Sequence, residues 1–158
     1  MTKTEELYAL AEEWGYPVLE PPPDGTIESM AILSPRGTPC VFLREDGHTA
    51  AELNERLAHE LGHCRTGAFY TALSAPAARG KCEEQARRWS YRQMIPLEAL
   101  IDGLRLGLRE PYEFSEWLEV PQGMVAEAVA YYRAAFSGLA GNKNRPSPGG
   151  KQERVRAD

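Results

Sequence analysis

At 158 residues, the chain is long enough for one domain with a real core and too short for two comfortable ones. Apolar residues make up 42% and charged residues 26%, an ordinary globular balance, and no run of about 18 apolar residues exists that would span a membrane. The net charge of −5 is unevenly placed: from Lys143 onward, Lys143, Arg145, Lys151, Arg154 and Arg156 face only Glu153 and Asp158, so the body is the more acidic part and disfavours a nucleic-acid surface.

The N-terminal stretch "MTKTEELYALAEEWG" is acidic and amphipathic and lacks the apolar core of a signal peptide. Leu7, Leu10, Ala11 and Trp14 recur at helical spacing, so a helix is predicted over residues 4–14, ended by Gly15. "PVLEPPPDG" contains three consecutive prolines and reads as a connector. "SMAIL" (residues 29–33) and "TPCVFLRE" (residues 38–45) are short apolar runs on either side of "SPRG", which predicts a hairpin. Pro39 places the second run at an edge or at the start of a strand. Thr49 followed by Glu52 is a capping box, so a helix is predicted from about residue 50 through both histidines of this region to Gly67. "SAPAARG" reads as a small-residue loop, and helices are expected over residues 81–95, 96–107, 112–118 and 121–136. Strands first and helices after make an α+β arrangement. Residues 1–141 are expected to form a single domain. Residues 142–158, rich in Pro, Gly, Ser and charge, are expected to be a disordered tail. Three cysteines, Cys40, Cys64 and Cys82, are too few and too odd for a disulfide framework, so a cytoplasmic location is expected.

The stretch "LAHELGHCRTGAFY" (residues 57–70) holds His59 and His63, two of the three histidines, with Glu60 directly after the first. Leu53, Leu57, Leu61 and Cys64 form one apolar stripe on this helix. At about 100° per residue, the two histidines centre about 140° away from it. They are therefore not the polar members of the buried stripe. Residues at i and i+4 stand one above the other, so both imidazoles can grip one ion from the same side while Glu60 projects beside it. That is the geometry of a general base acting on metal-activated water, the chemistry attached to H-E-x-x-H. The plainer alternative is a solvent-facing helix with two spare histidines.

A catalytic zinc usually takes three protein ligands. The longer pattern H-E-x-x-H-x-x-G-x-x-H is not met, because Thr66 stands at its glycine and Phe69 at its last histidine. His48 lies before the helix cap and is poorly placed. A carboxylate from a following helix remains, and "KCEEQARRWSYRQMIPLEAL" supplies Glu83 and Glu84. Glu83 shares a face with Ala86 and Ser90, the side expected to pack inward. Glu84 points a step round, where a pair with Arg88 is the ordinary surface use. Helical position therefore favours Glu83, the alternative being that both glutamates serve the helix dipole alone.

"HELGHCRTGAFY" followed by "KCEEQARRWSYRQMIPLEALI" resembles the ImmA/IrrE family of phage- and mobile-element-associated metallopeptidases. In that family HELGH on one helix is followed by Glu-x-x-Ala, an aromatic, a small residue and a proline on the next. Here those are Glu83, Ala86, Trp89, Ser90 and Pro96, with Ser90 where alanine is more usual. The resemblance is strong over residues 57–101 and looser outside them. It implies a small zincin-like, thermolysin-like domain with a short sheet beside two ligand-bearing helices. It further implies Zn2+ held by His59, His63 and Glu83, Glu60 as general base, and a repressor-type transcription regulator as the protein substrate.

The expected chemistry is metal-assisted peptide hydrolysis, in which Glu60 takes a proton from water and hands it to the leaving amine. Tyr70, Tyr91 and His48 are candidates to stabilise the tetrahedral oxyanion. Residues 38–44, if they form an edge strand, could receive an extended substrate segment. Cys64 and Cys82 flank ligands, and small buried residues are their simpler reading. Two further functions stay open. One is a regulator that binds metal and partner without cutting. The other is a helix-turn-helix DNA-binding protein built on "YEFSEWLEVPQGMVAEAVAYYRAAF", against which stand the sparse base-reading groups and Glu113, Glu116, Glu119 and Glu127.

Overall fold

The computed structural model describes residues 1–143, with side chains to Ser137. Within them six helices and one three-stranded sheet form an α+β fold, with the sheet in the N-terminal third. Helix α1 (Lys3–Glu13) starts at a capping box between Thr2 and Glu5, two local signals that locate the helix within a residue of its predicted span. Leu7 and Ala11 point into the core.

The sheet is where the structure departs most from expectation. Strand β2 (Ser29–Leu33) and strand β3 (Pro39–Leu43) form the predicted antiparallel hairpin, in register Met30 to Phe42 and Ala31 to Val41. The "SPRG" turn is closed by the Gly37 N–H donating to the Ser34 carbonyl at 2.8 Å, with Gly37 at φ +79°. Strand β1 (Val18–Leu19), inside the proline-rich connector, pairs parallel to the other side of β3, Val18 opposite Val41. The strand order is therefore β1-β3-β2. Pro39 does stand at the first position of its strand, but β3 is central, so residues 38–44 cannot receive an additional strand. The free edge on the hairpin side belongs to β2.

Helix α2 (Ala50–Thr66) runs from the Thr49–Glu52 capping box to Gly67, which closes it in the left-handed conformation at φ +67°. Its stripe of Leu57, Leu61 and Cys64 is buried. Helix α3 (Pro76–Met94) begins five residues before the predicted start, because Pro76 at its first turn pre-sets the helical φ and the alanines continue it. Helices α4 (Leu97–Arg105) and α5 (Pro111–Leu118) follow. Helix α6 (Gln122–Lys143) runs past its predicted end at residue 136 and takes in the first two residues of the expected tail. The rest of that tail lies outside the described residues.

Two features fix α2, the helix that carries both histidines. Asn54, with 0% of its surface exposed, accepts from the Thr4 hydroxyl at 2.6 Å and donates to the Glu119 carbonyl at 2.8 Å. It ties the start of α1 to the end of α5, where Glu119 holds a left-handed φ of +55°. Along the other side α2 meets α3 at Gly62, where an added Cβ would stand 2.6 Å from the Ala86 carbonyl oxygen. Only glycine lets the two backbones come this close.

Candidate metal centre

The approach of α2 to α3 at Gly62 decides where Glu83 falls. Gly62 sits between Leu61 and His63, and Ala86 is one helical turn after Glu83, so closing the backbones brings the Glu83 carboxylate over the histidine pair. Its Oε2 lies 2.8 Å from His59 Nε2 and its Oε1 3.3 Å from His63 Nε2. The two imidazoles stack edge to face, with ring centroids 4.9 Å apart. One ligand atom from each of the three residues lies within 4.8 Å of the others, and the Glu83 separations of 2.8 and 3.3 Å from the two imidazoles are ones that a single ion with bonds of about 2 Å could bridge.

The donor chemistry fits zinc. His63 Nδ1 is 2.6 Å from the Ala68 carbonyl, which can only accept, so Nδ1 donates there and Nε2 is the ring nitrogen turned toward Glu83. That carbonyl is supplied by the loop after Gly67. Burial tends to raise the Glu83 carboxyl, but the Tyr70 hydroxyl and the two imidazoles outweigh it and hold the group below the usual carboxylate range. Two imidazole nitrogens and one carboxylate oxygen bordering one cleft make a His₂Glu set.

No family model, curated protein or solved structure matches the chain.

The cleft over the three residues has a volume of about 430 Å³. Four consecutive residues of β2, Ser29 through Ile32, border it. Side chains of a strand alternate between faces, so four in a row can line a cleft only if the strand presents its edge. Glu60 is 6% exposed, and its Oε1 accepts from the Ser29 hydroxyl at 2.8 Å. The sequence reading missed Ser29, since nothing in "SMAIL" separates it from any other polar residue at a strand start. A contact across 31 positions leaves no local signal.

The remaining candidates separate cleanly. Glu84 points away and pairs with Arg87 and Arg88, each at 3.0 Å, the surface role expected of it. Tyr70 borders the cleft and donates to Glu83 Oε1 at 2.7 Å, a bond that with partial burial raises its own pKa. Tyr91 lies outside the cleft, in a neighbouring hollow that shares Ser29 and His59 with it, and donates to Glu127 at 2.9 Å. His48 pairs with Glu28 at 2.9 Å, before the helix that carries the other two histidines. Of the three proposed oxyanion donors the structure brings only Tyr70 to the site. Cys64 is buried, and burial pushes its thiol up to about 12, which leaves it inert and fits the packing role. Cys82 is half-buried, with its sulfur 3.6 Å from the Phe69 carbonyl.

The helix-turn-helix candidate corresponds to α5 and α6. Met124, Val125 and Ala128, in the first turns of α6, are buried in the core, and Glu127 holds Tyr91. The face of these turns left exposed carries Gln122, Gly123, Ala126 and Glu127, which offers no basic side chain to phosphate. Among the described residues no helix is long and apolar enough to cross a membrane.

Proposed function

We propose that the protein is a zinc-dependent metallopeptidase with a zincin-like catalytic domain, cutting an extended segment of a protein substrate. The observation that carries this reading is the convergence of His59, His63 and Glu83 within 4.8 Å beside a buried Glu60 that ligates nothing in the triad. Zinc, when bound, supplies Lewis acidity to the scissile carbonyl and to the attacking water. Glu60 takes the proton of that water and returns it to the departing amine. Tyr70, hydrogen-bonded to Glu83 at the rim, is the side chain placed to turn toward the carbonyl oxygen as charge develops there. The free edge of β2 offers unpaired backbone groups to an extended segment, which would then lie across the triad. The resemblance to the ImmA/IrrE family supports a repressor-type regulator as that substrate.

The test is elemental analysis of the full chain, followed by incubation of the zinc-loaded protein with a proteome-derived peptide library. About one zinc per chain, with new peptide termini that vanish in Glu60→Ala while its zinc remains, is the expected result. A well-folded protein that takes up no zinc when offered it overturns the reading. Zinc uptake without any new termini moves the protein to a metal-binding regulator that does not cut.

A further inference from the structure

A base beside a metal faces a conflict of position. Glu60 must stand within reach of the water on the open coordination position, yet a carboxylate that close to a zinc ion is itself a good ligand for it. On the helix Glu60 directly follows His59, and the hydrogen-bond partner of its side chain, Ser29, lies outside α2. The restraint comes from outside the helix. We propose that Ser29 is a positioning residue that holds Glu60 off the metal and keeps the fourth coordination position open, an inference that rests on the metallopeptidase reading above.

The geometry is specific. Ser29 Oγ lies 2.8 Å from Glu60 Oε1, and Glu60 is 6% exposed, so little bulk solvent competes for that oxygen. The hydroxyl is delivered from a fixed place. Ser29 is the first residue of β2, in register with the buried Leu43, and the Arg44 N–H donates to the Glu28 carbonyl at 2.8 Å just before it. Ser29 borders both the cleft and the adjoining hollow across His59, so its hydroxyl draws the carboxylate toward the sheet. Glu83, the acidic ligand, is bound instead by Tyr70 from the other rim. The two carboxylates of the site thus have separate hydroxyl partners on separate elements. A hydrogen bond to one oxygen occupies Oε1 and leaves the base its second oxygen for proton transfer.

Cobalt(II) as the probe reads this without a substrate. In the full-length chain, wild type is expected to bind one Co2+ with the intense visible absorption of a four-coordinate site. Ser29→Ala should bind it about tenfold tighter, the scale on which partners of ligands act, with weaker absorption as Glu60 joins the coordination shell. Ser29→Thr, which keeps the hydroxyl, should return both values to wild type. Introduced into a Glu60→Ala background, Ser29→Ala should change neither. A Ser29→Ala protein with wild-type affinity and spectrum overturns the proposal, as does an effect that persists without Glu60. A wild type that binds neither Co2+ nor Zn2+ overturns the metallopeptidase reading itself, an outcome distinct from the other two.

Discussion

Two helix contacts in this molecule treat polarity in opposite ways. In the seam between α2 and α3, Gly62 and His63 are buried, the Glu83 carboxylate reaches both imidazoles, and the backbones close until a single Cβ at Gly62 would strike the Ala86 carbonyl. At the other end, α4 carries the cleanest apolar stripe of the chain, Leu97, Leu100, Ile101 and Leu104 at i, i+3, i+4 and i+7. Yet that stripe borders an apolar groove of about 780 Å³, and Leu104 is 49% exposed. The difference shows what each contact is required to do. If the triad holds an ion as proposed, its donor atoms must keep separations such as the 2.8 and 3.3 Å from Glu83 to the two imidazoles, so the seam would tolerate little change in helix separation. Nothing of that kind constrains the groove, and apolar residues there are partly covered without being locked.

The largest effect should follow from opening the seam. Gly62→Val places a branched side chain against backbone that cannot swing aside, and is expected to cost about 3 kcal/mol or more in denaturant unfolding. What remains folded should have lost its metal, because Glu83 moves with α3. A cost under about 1 kcal/mol would mean that the helices separate freely and that the seam is no tighter than the groove. Next comes the proposed ligand. Glu83→Ala should weaken zinc binding by about a hundredfold, near 3 kcal/mol, whereas Glu84→Ala should leave it within about twofold, because Glu84 is spent on Arg87 and Arg88. Titration of each apo-protein with zinc against a chelator of known affinity decides it. Equal losses would dissolve the distinction between a seam-facing and a surface carboxylate.

The seam was partly legible in the sequence because its determinants are local. Thr49 with Glu52 marks where α2 begins and Gly67 where it ends, so the phase of His59 and His63 relative to the leucine stripe follows from counting. Glu83 separates from Glu84 by the same counting against Ala86 and Ser90. The unread parts are those that depend on distant partners. A two-residue strand such as Val18–Leu19 has no period, and its pairing with β3 turns the expected edge into the centre of the sheet. Ser29 reaches Glu60 only because the hairpin lies along α2. The alanines before Lys81 carry no amphipathic pattern, so α3 starts earlier than periodicity shows. The α4 stripe misleads in the opposite direction, since amphipathic spacing reports a face that can be buried, and how far it is buried depends on the neighbours.

A smaller effect should come from within the second region. An added Cβ at Gly103 in α4 would stand 2.3 Å from a ring carbon of Phe114, nominally closer than the clash at Gly62. The obstacle here is a side chain rather than backbone, and the groove beside it gives the ring somewhere to turn. Gly103→Ala is therefore expected to cost about 1 kcal/mol, less than the seam substitution despite the shorter distance, with part of that offset by the better helix propensity of alanine. The mildest change is Leu106→Ser at the end of α4. Leu106 is 69% exposed and should alter stability by no more than about 0.5 kcal/mol. A loss of 2 kcal/mol at Leu106, measured by the same unfolding experiment, would mean that the α4 end is covered in solution as firmly as the seam. Closure would then follow the apolar stripe, and the geometry demanded by the histidines and Glu83 would no longer explain why one helix contact is tight and the other open.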